Sequence, residues 1–164
     1  MPSLGDLEGY LGETTSVLFQ LAAMILAGGG DPGAAEIAGH AGVAYGLAGL
    51  LRALPVHAAR RQLYLPADLL ARHHADPADV FVRRATPEML AVLAELRSLA
   101  RAHLAKAEAG VAALPPGLAA AFLPLALVEP HLARMDRPGA DPFGRSAELS
   151  PWRKQWLLWR AARR

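Results

Sequence analysis

The sequence predicts an all-α helical bundle, on three observations. Alanine, leucine and arginine dominate the composition, which is helix-forming chemistry. Apolar residues recur close to every 3.6 positions, and no segment shows the strict alternation of a strand. Capping residues followed by proline stand at the starts of several of these segments. A chain of 164 residues, 53% hydrophobic and 20% charged, can bury one continuous core and is too apolar to stay disordered. Residues 1–164 are therefore read as a single all-helical domain.

The first helix is expected over 4–27, with Leu4, Leu7, Leu11, Leu18 and Leu21 on its apolar period and Gly28 to Gly30 as its stop. Asp31 and Pro32 read as the cap and first residue of a second helix that runs to about Leu54. That helix is crowded with small residues, among them Ala38, Gly39, Gly42, Gly46 and Gly49. Glycine weakens a helix, so the crowding implies unusually close packing or a ligand. Pro55 and Pro66 bracket a loop, and a short helix follows over 67–73. Asp76 and Pro77 open another to about Arg84, with Asp76 and Asp79 stabilising its start. Thr86, Pro87 and Glu88 begin a long helix that ends near Ala113, before Pro115 and Pro116. A further helix is expected over 117–134, kinked at Pro124. Residues 136–148 form a loop, and Ser150 with Pro151 caps a last helix that runs to the C-terminus. No internal repeat is visible.

Composition excludes several functions. Cysteine is absent, which removes disulfides, thiolate catalysis and Cys-ligated zinc. No Asp-x-x-x-Asp pair exists and asparagine is missing, so the oxygen ligands by which helical diphosphate enzymes hold magnesium are not in place. The six histidines (40, 57, 73, 74, 103 and 131) include no His-x-x-x-His pair, and the adjacent His73 and His74 point in different directions on a helix. The three glycines after the first helix lack the Lys-Ser/Thr of a phosphate loop. No serine sits in a nucleophile context. No cofactor, no metal site and no nucleic-acid partner are expected. The longest apolar run, Val17 to Gly30, is too short for a membrane span, and the acidic N-terminus lacks the basic region of a signal peptide. The expected location is cytoplasmic, with peripheral contact on an inner membrane, or its matrix side in a mitochondrion.

The formal charge is only +2, yet its distribution is uneven. Between Glu36 and Asp68 there is no carboxylate, while Arg52, His57, Arg60 and Arg61 fall within a few residues of one another. Two readings fit: a solvated basic loop, or an anion site in which arginine forks match phosphate or carboxylate. With Tyr45 and Tyr64, these four residues form the candidate anion or ligand site. In the last helix, Trp152, Trp156 and Trp159 share one face at i, i+4 and i+7. Arg153, Lys154, Arg160, Arg163 and Arg164 occupy much of the remainder. This helix is either an ordinary packing helix with a basic outside or a contact for an anionic membrane surface.

Residues 42–66, GVAYGLAGLLRALPVHAARRQLYLP, resemble the second conserved region of squalene and phytoene synthases. That pattern runs Gly-x-Ala-x-Gln-Leu-x-Asn-Ile-Leu-Arg-Asp, then three residues and a second Asp, and later Gly-Arg-x-Tyr-Leu-Pro. Gly42, Ala44, Leu47, Leu51, Arg52, Tyr64, Leu65 and Pro66 match it. The departures are specific. Ala53 and His57 stand where the family carries its two magnesium-binding aspartates. Gly46 and Gly49 replace the Gln and Asn, and Arg61-Gln62 replaces Gly-Arg. The resemblance extends over nearly the whole chain as the C-terminal part of an isoprenoid-synthase-like fold, and it puts the family's first aspartate-rich region upstream of Met1.

LRALPVHAARRQLYLPADLL, YLGETTSVLFQL and PWRKQW are also similar to a non-catalytic branch of that family, the squalene/phytoene-synthase-like assembly factors of respiratory complex I. The resemblance implies a pseudoenzyme that serves as a binding or assembly factor for a membrane complex, with a protein partner or self-association. It leaves open a divergent prenyltransferase whose remaining half and metals come from elsewhere, and a module that binds an isoprenoid or anionic lipid. If the chain begins mid-fold, the small-residue helix is expected to expose a packing face.

Overall fold

A computed structural model describes residues 1–144 and 148–163. Every regular element among them is helical. The middle of the expected 136–148 loop and the last basic residue, Arg164, lie outside the described residues.

The first helical run is α1 (Leu4–Leu11), a π-helical turn (Gly12–Ser16) and α2 (Val17–Leu26). Ser3 starts it with a capping box: its Oγ accepts from Asp6 N at 3.1 Å, and Ser3 N donates to Asp6 Oδ2 at 3.0 Å. The glycine stop works as expected. Gly28 and Gly29 take φ of 69° and 92°, and Gly29 N donates back to Met24 O at 2.9 Å, which satisfies a carbonyl the helix end leaves open.

Helix α3 spans Ala35–Arg52, and its start corrects the expected cap at Asp31. Asp31 Oδ1 instead accepts from Gly33 N at 2.9 Å, closing a local turn that consumes the side chain before the helix begins. The expected loop after Pro55 is also corrected in its first half. Helix α4 (Leu54–Ala59) follows α3 through Ala53 alone, with Pro55 in the first turn, where a missing N–H costs nothing. Helix α5 covers Ala67–Arg72. Helix α6 is only Ala78–Phe81, shorter than expected because Arg83 turns into left-handed backbone. Helix α7 (Pro87–Ala112) is the longest; Thr86 Oγ1 caps Met89 N at 3.2 Å.

The run expected as one kinked helix over 117–134 is three pieces: α8 (Pro116–Ala119), a 3₁₀ stretch (Ala120–Leu127) and α9 (Val128–Met135). Pro124 lies inside the 3₁₀ stretch; it has no N–H to donate and its ring crowds the carbonyl of residue 120, so α-helical winding is interrupted there. Helix α10 (Pro151–Ala161) is capped by Ser150 as expected, with Arg153 N to Ser150 Oγ at 3.4 Å.

Helix α3 lies at the centre. It packs lengthwise on α7, and the π turn, α1 and α2 cover another side. Ala38, Ala41, Ala44, Leu47 and Leu51 of α3 join Met89, Val92, Leu93, Leu96, Ala100 and Leu104 of α7 in one core. Some of the small residues have a packing reason, Gly42 and Gly46 among them, while a Cβ on Gly39 or Gly49 would meet nothing within 4 Å. A Cβ on Gly42 would stand 2.3 Å from Ser16 Cα and 2.4 Å from Ser16 N, so the two backbones touch there with no room for a methyl group. Ser16 Oγ also donates to Gly39 O at 3.1 Å, using a carbonyl of α3 as its acceptor.

This enclosure corrects the expectation that the small-residue helix leaves its packing face open. Much of the exposed apolar surface lies on the first helical run, where Leu18 is 63% and Ile25 76% exposed. Residues 117–135 form one run long and apolar enough to cross a membrane by composition alone. Phe122, Leu125, Val128 and Leu132 of that run are nevertheless buried in the core, and Phe122 stacks on Phe19 at 5.8 Å.

Candidate functional site

The α3–α4 junction sets the candidate site, because a single residue separates the two helices. Arg52 is the last residue of α3 and Ala53 is shared as its C-cap and the N-cap of α4. One turn on, His57 projects from α4 and packs its ring against Tyr64, 4.7 Å between centroids. Leu7, Leu47, Leu54 and Leu65 surround the pair around a cavity of ≈ 10 Å³. Burial, then the charge of Arg60, lowers the His57 pKa below its ordinary value, so the imidazole is neutral at pH 7.

The basic cluster divides in space. Arg60 and Arg61 close α4, both exposed, and no carboxylate among the described residues lies within ion-pair distance of either. Arg52 is different. Its Nε lies 3.7 Å from Glu148 Oε1, and Lys154 Nζ donates to Glu148 Oε2 at 3.3 Å. The acid-free stretch of sequence therefore meets an acid from near the other end of the chain. Arg52 also lines a cavity of ≈ 30 Å³ with Tyr45, Leu127 and His131, and one of ≈ 50 Å³ with Arg97, Met135 and Pro142. Tyr45 is partly exposed and meets Phe19 edge-on at 5.9 Å. Sequence reasoning missed His131, Arg97 and Glu148, since only the fold brings them beside Arg52.

Ala53 and His57, which the resemblance sets at the family's magnesium positions, do not fit a magnesium ion. Ala53 offers no donor atom, and His57 offers a soft nitrogen packed on an aromatic ring where a hard cation requires several oxygens. No three His, Asp, Glu or Cys side chains converge among the described residues. Space is limiting as well. Cavities of ≈ 10, ≈ 30 and ≈ 50 Å³ beside His57, Tyr45 and Arg52 fall far short of the roughly 300 Å³ at the low end for enclosed ligand sites.

On α10, Leu157 and Leu158 are half-buried while the tryptophans face outward: Trp152 is 82%, Trp156 52% and Trp159 53% exposed. Two guanidiniums lie over these rings, Arg160 at 5.4 Å from the Trp156 centroid and Arg163 at 4.0 Å from that of Trp159. Arg153 is exposed, whereas Lys154 is held by Glu148.

Several other charged groups hold helices together. His73 Nε2 lies 2.6 Å from Glu95 Oε2, joining α5 to α7, while His74 turns outward with φ 56°. His103 of α7 lies between Glu8 of α1 and His40 of α3, 3.0 Å from each. Burial is the largest influence on His103 and lowers its pKa, which leaves it neutral; its Nε2–H then donates to Glu8 and its Nδ1 accepts from His40. Arg101 donates twice to Glu129, at 2.9 and 3.0 Å, and once to Asp136 at 2.6 Å; Arg97 donates to Asp136 at 2.6 Å.

An all-helical fold with the Leu-Arg segment at the α3–α4 junction and the Tyr-Leu-Pro segment between α4 and α5 defines the class of protein. The sequence model of the squalene/phytoene synthase family matches residues 1–160, and the chain belongs to that family. Its relatives include "NADH dehydrogenase (ubiquinone) complex I, assembly factor 6" of Rattus norvegicus, 30% identical over 165 residues, covering 94% of this chain and 49% of the rat protein. The Homo sapiens protein of the same name shows the same identity and coverage. "Phytoene synthase" of Thermus thermophilus is 35% identical over 133 residues, 81% of this chain and 46% of that enzyme. The chain thus spans about half the length of the curated relatives it matches.

Proposed function

We propose that this protein is a non-catalytic member of the squalene/phytoene synthase family that helps to assemble a membrane complex, with respiratory complex I as its client. The observation that carries this reading is the replacement of both magnesium-binding positions, by Ala53 and by a His57 that the fold packs against Tyr64. Metal ions neutralise the departing diphosphate in prenyl transfer, and neither residue supplies an anionic oxygen. The relatives named as complex I assembly factors support the client. The protein works at the inner-membrane surface, on the cytoplasmic or matrix side, with the tryptophan face of α10 as one membrane contact.

The Thermus thermophilus relative favours a second reading, a prenyltransferase. The substitutions at 53 and 57 weigh against it, and the cavities beside His57, Tyr45 and Arg52 are too small for an isoprenoid; a larger one of ≈ 280 Å³ lies apart from them, against Leu4, Leu69 and Glu95. Incubating the purified chain with magnesium and geranylgeranyl diphosphate separates the two. Diphosphate release at the level of buffer is expected; protein- and magnesium-dependent release overturns the non-catalytic reading.

A further inference from the structure

We propose that the short helices α4 and α6 together form a docking face for an anionic phospholipid bilayer. The two pack against each other. Each is followed by a pair of arginines, Arg60 and Arg61 after α4 and Arg83 and Arg84 shortly after α6, and all four are exposed. Arg84 has a carboxylate, Asp79 Oδ1, at 3.4 Å. Arg60, Arg61 and Arg83 have none within ion-pair distance among the described residues.

Cations after a helix C-terminus favour the helix dipole, and this explains charge at these two ends. It does not explain the apolar side chains left beside that charge. Val56 of α4 is 51% exposed and Val82, directly before Arg83, is 62% exposed, with Phe81 at 38%. The acids along this stretch are fewer than the four arginines: Asp79 is buried and pairs with Arg84, while Asp76, which accepts from Ala78 N at 2.8 Å, and Glu88 in the first turn of α7 are exposed.

Charge complementarity selects an anionic surface, since guanidinium forks pair with phosphate oxygens. The valines and phenylalanine select a surface that admits apolar tips just below its charged layer, which a bilayer does. Arginine stems lie along apolar surface while their heads stay at headgroup level. The face uses none of the tryptophans of α10. It deepens the membrane part of the function proposed above and does not depend on the client.

Flotation of the purified protein with phosphatidylcholine vesicles, with and without phosphatidylglycerol, tests the face. The double variant Arg60→Gln/Arg61→Asn is used because Asn tolerates the left-handed backbone at position 61, φ 52°. Circular dichroism checks that the fold is kept. Wild-type protein is expected to bind the anionic vesicles and to release as salt rises. The double variant is expected to bind them roughly thirtyfold more weakly, and Val82→Ser several-fold more weakly. Three results overturn the proposal. The double variant binds as wild type does, including the case in which only Trp152→Ser/Trp156→Ser loses binding. Binding is indifferent to phosphatidylglycerol. Wild-type protein ignores vesicles altogether. The last would leave the assembly role standing, to be judged on the client complex itself.

Discussion

At Gly42 the backbone of one helix meets the backbone of another, and the absent side chain is what permits it. Gly42→Ala is expected to destabilise the protein by about 1–3 kcal/mol, because Ser16 Cα and N cannot move aside as a side-chain tip could. Urea denaturation checks this, and an unchanged midpoint would contradict the contact. Gly46 offers the contrast: its nearest neighbour is the Leu11 Cδ2 methyl, 2.5 Å from a built Cβ, which can rotate away. At His57 the expected outcome concerns pH. Its folded pKa is lowered, so the unfolded chain takes up the proton first as pH falls. The associated stability is present above the unfolded value of about 6.5 and is lost as pH drops through the folded value. His103 shifts the same way and adds to the loss. The fall in melting temperature between neutral and mildly acidic buffer should therefore shrink in His57→Phe, which keeps the ring contact with Tyr64 and cannot titrate. An identical fall would sink this assignment. The crowding of glycine and alanine on α3 was legible as close packing, because few other causes tolerate such poor helix formers. The Arg52–Glu148 pair was not legible, since nothing local links residues so far apart in the chain.

Among the elements, caps were the readable signals. Thr86 and Ser150 bond the helix starts they precede, as expected, whereas the Ser3 cap was not foreseen. The misreadings share a physical source, which is that one residue type serves two geometries. Asp31 closes a turn instead of a helix, Pro55 sits inside a first turn instead of before one, and Pro124 tightens a helix into 3₁₀ winding where a kink was expected. Helix α9 is fixed to α7 by Arg101 and Arg97, and this contact carries its own expectation. Burial alone would raise the Asp136 pKa, yet the hydrogen bonds from Arg101 and Arg97 outweigh it and hold the carboxyl below its ordinary value. Arg101→Leu is expected to cost about 1 kcal/mol, the pairs being partly solvent-screened. It should also raise hydrogen exchange across 128–135 more than in α3. Uniform exchange in variant and wild type would show that the network does not hold α9.

For the whole molecule, the fold class and the family were legible because helix periodicity and the Leu-Arg and Tyr-Leu-Pro segments are local features of the sequence. The candidate site was legible only in part. The substitutions at 53 and 57 could be read off, but the division of the basic cluster into a paired Arg52, a neutral His57 and an outward-facing Arg60–Arg61 depends on contacts that only the folded chain makes. Binding in place of turnover is proposed on the reading of Ala53 and His57 at the family's metal positions, and the respiratory client is proposed on the names of the relatives. The most direct test is the amount of assembled complex I on native gels of membranes from cells with and without this gene. A marked fall in the assembled complex, restored by the wild-type gene, is the predicted result. An unchanged amount of complex I in the deletion would contradict the account.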